Sequence, residues 1–237
     1  MRVLLLAAGR GTRLHPLTQD CPKPLVQVGD KPLIVWHLEQ LAQAGITEIV
    51  INTAYLGEKI RAYLGSGTAW GVHLEYSIED HLGGLETGGG IMHALPLLSP
   101  QKNTPFIVIN ADIWTQLPLK HLLDIGQCWQ QGQQGFLYMV RNPEHHPQGD
   151  FYLSQHRLYT QAPHADAQTF TFAGISVLHP DLFNQGQQGA FPLAPLLRQA
   201  SSQGHLYGTQ HLAPWFDVGT VERLQQTQTY IDHHILH

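Results

Sequence analysis

The chain has 237 residues, 43% hydrophobic and 13% charged, which suits a single large globular domain or a domain with a smaller lobe. A net charge of −5 with no clustered basic excess argues against a nucleic-acid surface, and no apolar run reaches the ~18 residues of a membrane span. Cys21 and Cys128 stand far apart in no Cys-x-x-Cys pair, the pattern of reduced thiols in a cytoplasmic protein, and Met1 to Ala8 runs into Gly-Arg-Gly without the features of a secretory signal. The histidines are dispersed and His-Glu-x-x-His is absent, so His145-His146 and His233-His234 read as solvent-facing pairs rather than a zinc site.

Val3 to Leu6 is a short, fully apolar run, the mark of a parallel strand buried on both faces. It feeds into Ala7-Ala8-Gly9-Arg10-Gly11-Thr12-Arg13. Small residues and two glycines let backbone N–H groups approach phosphate oxygens there, and Arg10, Arg13 and Lys23 put three cations in the same segment. The string is neither a Walker A loop nor the dinucleotide fingerprint, whose third glycine would fall on Leu14. A structural turn with solvated arginines is the plainer alternative.

Asp30 then reads as the cap of a helix with Pro32 in its first turn, apolar positions from Leu33 to Ala42, and a stop at Gly45. Glu48 to Asn52 is a second strand, Glu58 to Leu64 a short helix ending at Gly65, and Val72 to Ser77 a strand. Thr87 to Leu95 is a helix despite three glycines, Phe106 to Asn110 a buried strand, Leu119 to Gln131 a helix, and Phe136 to Val140 a strand. This alternation over the first ~140 residues predicts an α/β fold with a doubly wound, mostly parallel Rossmann-like sheet, its ligands at the carboxyl ends of the strands. The rhythm then breaks. Strands within Asp150 to Thr160 and from Phe170 to Leu178 predict a small mixed lobe in residues 141–237, followed by helices over Pro192 to Ala200 and from Thr220 onward. Gln130 to Gly135 and Gln185 to Gly189 read as surface loops. Residues 1–237 are expected to form one domain of two halves, and no hexapeptide repeat announces a β-helix tail.

Asp112, just past the strand ending at Asn110, is well placed for Mg²⁺ beside the phosphate loop, or else caps the following loop. Asp217 on its own reads equally as a cap of the last helix, in competition with Thr220. Glu86-Thr87-Gly88-Gly89-Gly90 opens a helix with three glycines, each costing about 1 kcal/mol against alanine. A close ligand or a close backbone explains that, and Gly83-Gly84 offers further backbone to a flat base. Asn110 and Asp150 are candidates for sugar hydroxyls, and Gly174 for leaving room for a sugar ring.

Three motifs, Leu6 to Leu14, Pro16-Leu17-Thr18 and Pro22-Lys23-Pro24-Leu25, resemble the signature of the sugar-1-phosphate nucleotidyltransferases. The likeness covers nearly the whole chain. Through Asn110 to Trp114, Gly149-Asp150-Phe151, Thr171 to Pro180 and Ala194 to Arg198 it narrows to the uridylyltransferases that act on N-acetyl-α-muramate 1-phosphate in cell-wall sugar recycling. The resemblance implies UTP and that sugar phosphate as substrates, pyrophosphate as co-product, Mg²⁺ on Asp112 and Asp217, and a cytoplasmic monomer or weak homodimer. It implies nucleotide contacts at Ala8, Gly9, Gly11, Thr12, Arg13, Lys23, Gly83, Glu86, Thr87 and Gly88, with Arg13 and Lys23 on the departing pyrophosphate. It also implies sugar contacts at Asn110, Asp150 and Gly174. Many relatives carry a Glu-Lys-Pro whose lysine meets the sugar phosphate, whereas here no lysine follows Lys120, so metal or an arginine must supply that charge. This disfavours glucose-1-phosphate thymidylyltransferase. Mannose-1-phosphate guanylyltransferase and a non-catalytic nucleotide-sugar sensor are the remaining alternatives. Arg141, Arg157 and Arg198 are the candidates for reading a lactyl carboxylate.

Overall fold

The computed structural model describes residues 1–82, 84–184 and 189–235. Gly83 and most of the loop expected at Gln185 to Gly189 lie outside the described residues. In chain order the elements are β1 (Val3–Leu6), β2 (Gln27–Val28), β3 (Lys31–Pro32), α1 (Leu33–Gln43), β4 (Glu48–Thr53), α2 (Gly57–Leu64) and β5 (His73–Ile78). There follow α3 (Glu86–Leu98), β6 (Phe106–Asn110), β7 (Ile113–Thr115), α4 (Lys120–Gln127), β8 (Gly135–Val140), β9 (Phe151–Ser154) and β10 (Arg157–Tyr159). The chain continues through β11 (Thr169–Leu178), α5 (Ala194–Ser202), β12 (Leu206–Gln210), β13 (Trp215–Asp217) and α6 (Val221–His234).

One nine-stranded sheet in the order β5-β4-β1-β6-β11-β8-β12-β10-β9 forms the frame. Its first four strands are parallel, as the alternating apolar runs require. From β11 onward the pairing is mixed: β11 runs antiparallel to β6 and β8, while β12 runs parallel to β8. The mixed strands therefore extend the same sheet, joined to the parallel half through Ile175↔Ile109 and its neighbours.

Successive β1 residues face opposite ways. Val3 and Leu5 join Ile34, Leu38, Ile60 and Leu122 of α1, α2 and α4 on one side, and Leu4 joins Ile91, Leu95 and Leu197 of α3 and α5 on the other. Each such buried Leu or Val contributes roughly 1.5–3 kcal/mol. A third cluster lies off the sheet, where Leu14, Val28, Leu33, Trp36, Trp114, Val218 and Ile231 pack together. Helix α1 serves two clusters at once, which explains its nearly unbroken apolar sequence.

Asp30 does not cap α1. It lies in the turn between β2 and β3, and Pro32 precedes the helix without a side-chain cap. Thr220 does cap α6, its hydroxyl accepting from Arg223 N at 3.3 Å. Helix α4 stops at Gln127, short of Gln131. Strands β7, β12 and β13 were not anticipated. Pairing of β13 with β7, with Asp217 opposite Ile113, brings a late segment beside the strand that follows Asp112.

Candidate active site

The carboxyl ends of β1, β4 and β6 open onto a cleft of about 650 Å³. Its wall includes Ala8, Gly9, Gly11, Thr12, Arg13, Lys23, Glu86, Thr87, Asn110 and Asp112, so most of the sequence-nominated positions do meet. Gly11 has φ +64°, a left-handed conformation natural to glycine, and a Cβ there would stand 3.0 Å from Lys23 Cβ. The bend thus lets the loop lie against the Pro22-Lys23-Pro24 turn, and Thr18 fastens it with a 2.7 Å bond to the Gly11 carbonyl. Gly9 faces open space.

Lys23 Nζ lies 2.7 Å from Asp112 Oδ2, with the lysine side chain 9% exposed and the aspartate 39%. Asp217 is held by other cations: its Oδ2 lies 3.4 Å from an Arg223 nitrogen and 3.6 Å from His145 Nε2. The backbones of the two aspartate segments are tied, since Val218 N donates to the Asp112 carbonyl at 2.9 Å. Asp217 nevertheless faces a second, neighbouring cavity of about 870 Å³ lined also by Arg141, His145, His211 and Trp215. The segment Asp217 to Thr220 divides the two spaces, with Gly219 on the cleft wall and Asp217 and Thr220 on the cavity wall.

Several nominated residues sit elsewhere. Gly88 does not line the cleft; its N–H and that of Gly89 both donate to the Phe191 carbonyl, and a Cβ at Gly88 would come within 2.5 Å of the Phe191 ring. Close packing is what those glycines serve. Glu86 starts the helix at φ +56°, a strained conformation for a side-chain-bearing residue, on the cleft wall. Gly174, at φ +75°, sits at the bulge in β11, where a Cβ would meet Asn110 Nδ2 at 2.8 Å, so the room it leaves is taken by Asn110. Asp150 lines neither space. Its carboxylate accepts from Phe172 N at 2.7 Å and lies 3.1 Å from His146 Nε2, which makes it a loop anchor. His145 and His146 therefore face carboxylates, not only solvent. Of the candidate carboxylate readers, Arg141 lines the second cavity, Arg157 lies over the Tyr207 ring, and Arg198 is exposed on α5.

Sequence reasoning missed two cleft residues. Asn52 accepts from Ala7 N at 2.7 Å and donates to Glu79 at 2.9 Å, fixing the start of the phosphate loop. Glu79 is 1% exposed, and burial raises its pKa against the opposing pull of Asn52 and His93. Their only signal was position, at or just beyond the ends of two parallel strands.

His37 is buried in α1 behind Asp112. Burial pushes its pKa down to about 4, although a backbone bond to Ile113 and the Asp112 charge pull it up. A depressed histidine adds no penalty above the unfolded value of 6.5, and costs stability as pH falls from there toward about 4, on the order of 3 kcal/mol in total. Glu79 has the opposite sign, gaining stability as pH falls through its raised pKa. Urea unfolding between pH 7 and 4 is expected to show a steeper acid loss for the native chain than for His37→Gln; parallel profiles would acquit His37.

A metal was expected on Asp112 and Asp217. Two carboxylates on tied segments beside a phosphate loop are the hard-oxygen donors Mg²⁺ takes when substrate phosphates complete its shell. A different trio, Glu48, His73 and Glu75, is the one metal-like group of three among the described residues, but it lies toward the amino ends of β4 and β5, where Arg2 pairs with Glu75 at 2.9 Å. It does not belong to the cleft.

Residues 2–151 match the family described as Nucleotidyl transferase. A Neisseria meningitidis serogroup B protein named N-acetylmuramate alpha-1-phosphate uridylyltransferase is 44% identical over 96% of this chain and 97% of its own length. A Caulobacter vibrioides protein of the same name is 32% identical over 91% and 90%. Among solved structures, a Bacillus anthracis protein described as a glucose-1-phosphate thymidylyltransferase superposes with a TM-score of 0.81 at 20% identity, covering 98% of this chain and 96% of that one. A UDP-glucose pyrophosphorylase gives 0.73 at 22% identity, covering 98% of each. The phosphate loop, the tied aspartate segments and these likenesses agree: the chain belongs to the nucleotidyl transferase family, among its sugar-1-phosphate nucleotidyltransferases.

Proposed function

We propose that the chain joins UTP to N-acetyl-α-muramate 1-phosphate, giving UDP-N-acetylmuramate and pyrophosphate, in the recycling of cell-wall sugar in the cytoplasm. One observation carries the reading: beside the phosphate-loop cleft lies a second cavity with Arg141 on its wall, a cation suited to a sugar that carries a carboxylate besides its phosphate.

The phosphate oxygen of the sugar attacks the α-phosphorus of UTP in line with the departing pyrophosphate, so positioning and charge neutralisation make up most of the catalysis. The N–H groups of residues 8–13 and the Arg13 side chain receive the β- and γ-phosphates, and Lys23 stabilises the charge that builds on the leaving oxygens. No covalent intermediate on the protein is needed. Asn52 holds the loop in register by its bond to Ala7 N. Asp112 and Asp217 are the residues that would hold Mg²⁺, which when bound supplies charge neutralisation between the two phosphates.

Pyrophosphate release tests this. With a panel of nucleoside triphosphates and sugar 1-phosphates, UTP and N-acetylmuramate 1-phosphate are expected to be fastest. Faster turnover of N-acetylglucosamine 1-phosphate at equal concentration would overturn the assignment. In Arg141→Gln the preference for the lactyl ether is expected to shrink by about 10- to 100-fold, the worth of one charge-assisted hydrogen bond. An equal fall for both sugars would remove Arg141 from that role.

A further inference from the structure

The charge that a second-half lysine supplies in many relatives has to come from elsewhere in this chain, and the seam between the two spaces holds a candidate. Arg223 lies in the first turn of α6, where a cation faces the positive end of the helix dipole. Its side chain is 14% exposed. Nε and Nη2, which form one two-pronged edge of the guanidinium, are buried and have no hydrogen-bond partner among the described residues. Asp217 is close, at 3.4 Å, but does not satisfy that edge. Buried donors without acceptors are uncommon and call for an explanation.

Gly219 supplies the second half of the argument. A Cβ at that position would collide with Nη2 of Arg223, so a missing side chain is what seats the guanidinium. Gly219 is also part of the cleft wall, whereas Arg223 lines the neighbouring cavity. The unsatisfied edge thus lies where the nucleotide space meets the sugar space. An attacking phosphate must be there to reach an α-phosphorus held over the loop. Of the other cations on the cavity wall, His145 also leans on Asp217, and burial lowers the pKa of His211, which lies 3.0 Å from Thr115 Oγ1. Arg141 lies on the wall away from Gly219, shared with a further polar pocket around Tyr152 and Thr169.

We propose that Arg223 binds the phosphate of the sugar 1-phosphate, presenting its Nε–Nη2 edge to two phosphate oxygens while a third attacks UTP. A planar two-pronged donor matches two phosphate oxygens. In the step itself, the new bond forms between that third oxygen and the α-phosphorus, the bond from the α-phosphorus to the bridging oxygen breaks, and pyrophosphate leaves with the electron pair. Arg223 stays protonated throughout. The inference rests on the sugar-1-phosphate reading above, and its test separates the two.

KM for each substrate, kcat and melting temperature are measured for the native enzyme, R223Q and R223K. R223Q is expected to raise KM for sugar 1-phosphate by about 10- to 100-fold while KM for UTP stays within a factor of about 3. The rise should be the same for N-acetylmuramate and N-acetylglucosamine 1-phosphates, because the phosphate and not the lactyl group is read. R223K should recover part of the loss. Calorimetric binding of N-acetylmuramate 1-phosphate should weaken in R223Q, and binding of N-acetylmuramate without phosphate should not. An unchanged sugar-phosphate KM, or an equal rise in both KM values with a lower melting temperature, would overturn the role of Arg223 and leave the function standing. A native enzyme that uses no sugar 1-phosphate would overturn both. Should R223Q not fold, R223K carries the same comparison.

Discussion

Lys23→Ala is expected to lower kcat by about 10²- to 10³-fold while the fold survives, the scale seen when one preorganised donor to a developing oxyanion is removed. The lysine is not a loose surface cation. Pro22 and Pro24 fix the backbone on either side, Gly11 leaves room for the stem, and the ammonium lies 2.7 Å from Asp112. The ion pair itself contributes little to stability, roughly 1 kcal/mol or less, because Asp112 is 39% exposed and water replaces the lost partner. Lys23→Met keeps the stem and removes the charge, so kcat of the two variants, read beside their melting temperatures, separates charge from packing. If Lys23→Met retained near-native kcat, the ammonium would have no part in the chemistry.

The largest loss is expected from the aspartates. Asp112→Asn and Asp217→Asn each remove one formal charge with almost no change of shape, and each should lower kcat/KM by more than the ~10–100-fold typical of residues that only support metal ligands. The double variant should be little worse than either single one, because groups that act as a unit do not lose additively. Their different partners sharpen the prediction. Asp112→Asn leaves Lys23 without its anion, and Asp217→Asn does the same to Arg223. If the two carboxylates were only helix or loop caps, the cost would be ~0.5–2 kcal/mol of stability and nothing special in the chemistry. The measurement is kcat/KM against magnesium concentration for both singles and the double. Additive losses that ignore magnesium would show that the two do not share a metal.

Much of this was legible because β1 and the segment after it are local features. A fully apolar run can only be a strand buried on both faces, and Gly9, Gly11 and Lys23 are close in sequence as well as in space. What was not legible depended on distant pairing. Ile113-Trp114-Thr115 is too short for a period to register, and it becomes a strand only because Trp215 to Asp217 lies against it. β12 was hidden by Gly208, whose absent side chain lets it lie close to Leu137. The three glycines of α3 had two explanations, and Phe191, from a hundred residues later, decided for packing at Gly88 and Gly89. Asp150 likewise looked free for a ligand until Phe172 N was seen to claim it. Arg223 and Glu79 gave no local sign at all: their meaning lies in which cavity wall they reach.

The β7–β13 ladder has a consequence for how the enzyme comes into being. Asp112 is made before the midpoint of the chain, but Asp217 and Arg223 follow it by about a hundred residues. They reach position only when β13 pairs with β7 and α6 packs through Ile231 on Trp36 and Trp114, with Gln228 accepting from Gly29 N at 2.7 Å. Such contacts between remote parts of a chain form late, because loop-closure entropy must be overcome first. On the ribosome, the parallel half can therefore assemble and take up nucleotide while the phosphate-transfer geometry is still missing. A nascent chain would hold UTP without spending it, and transfer would begin only after the final helix has left the exit tunnel and docked.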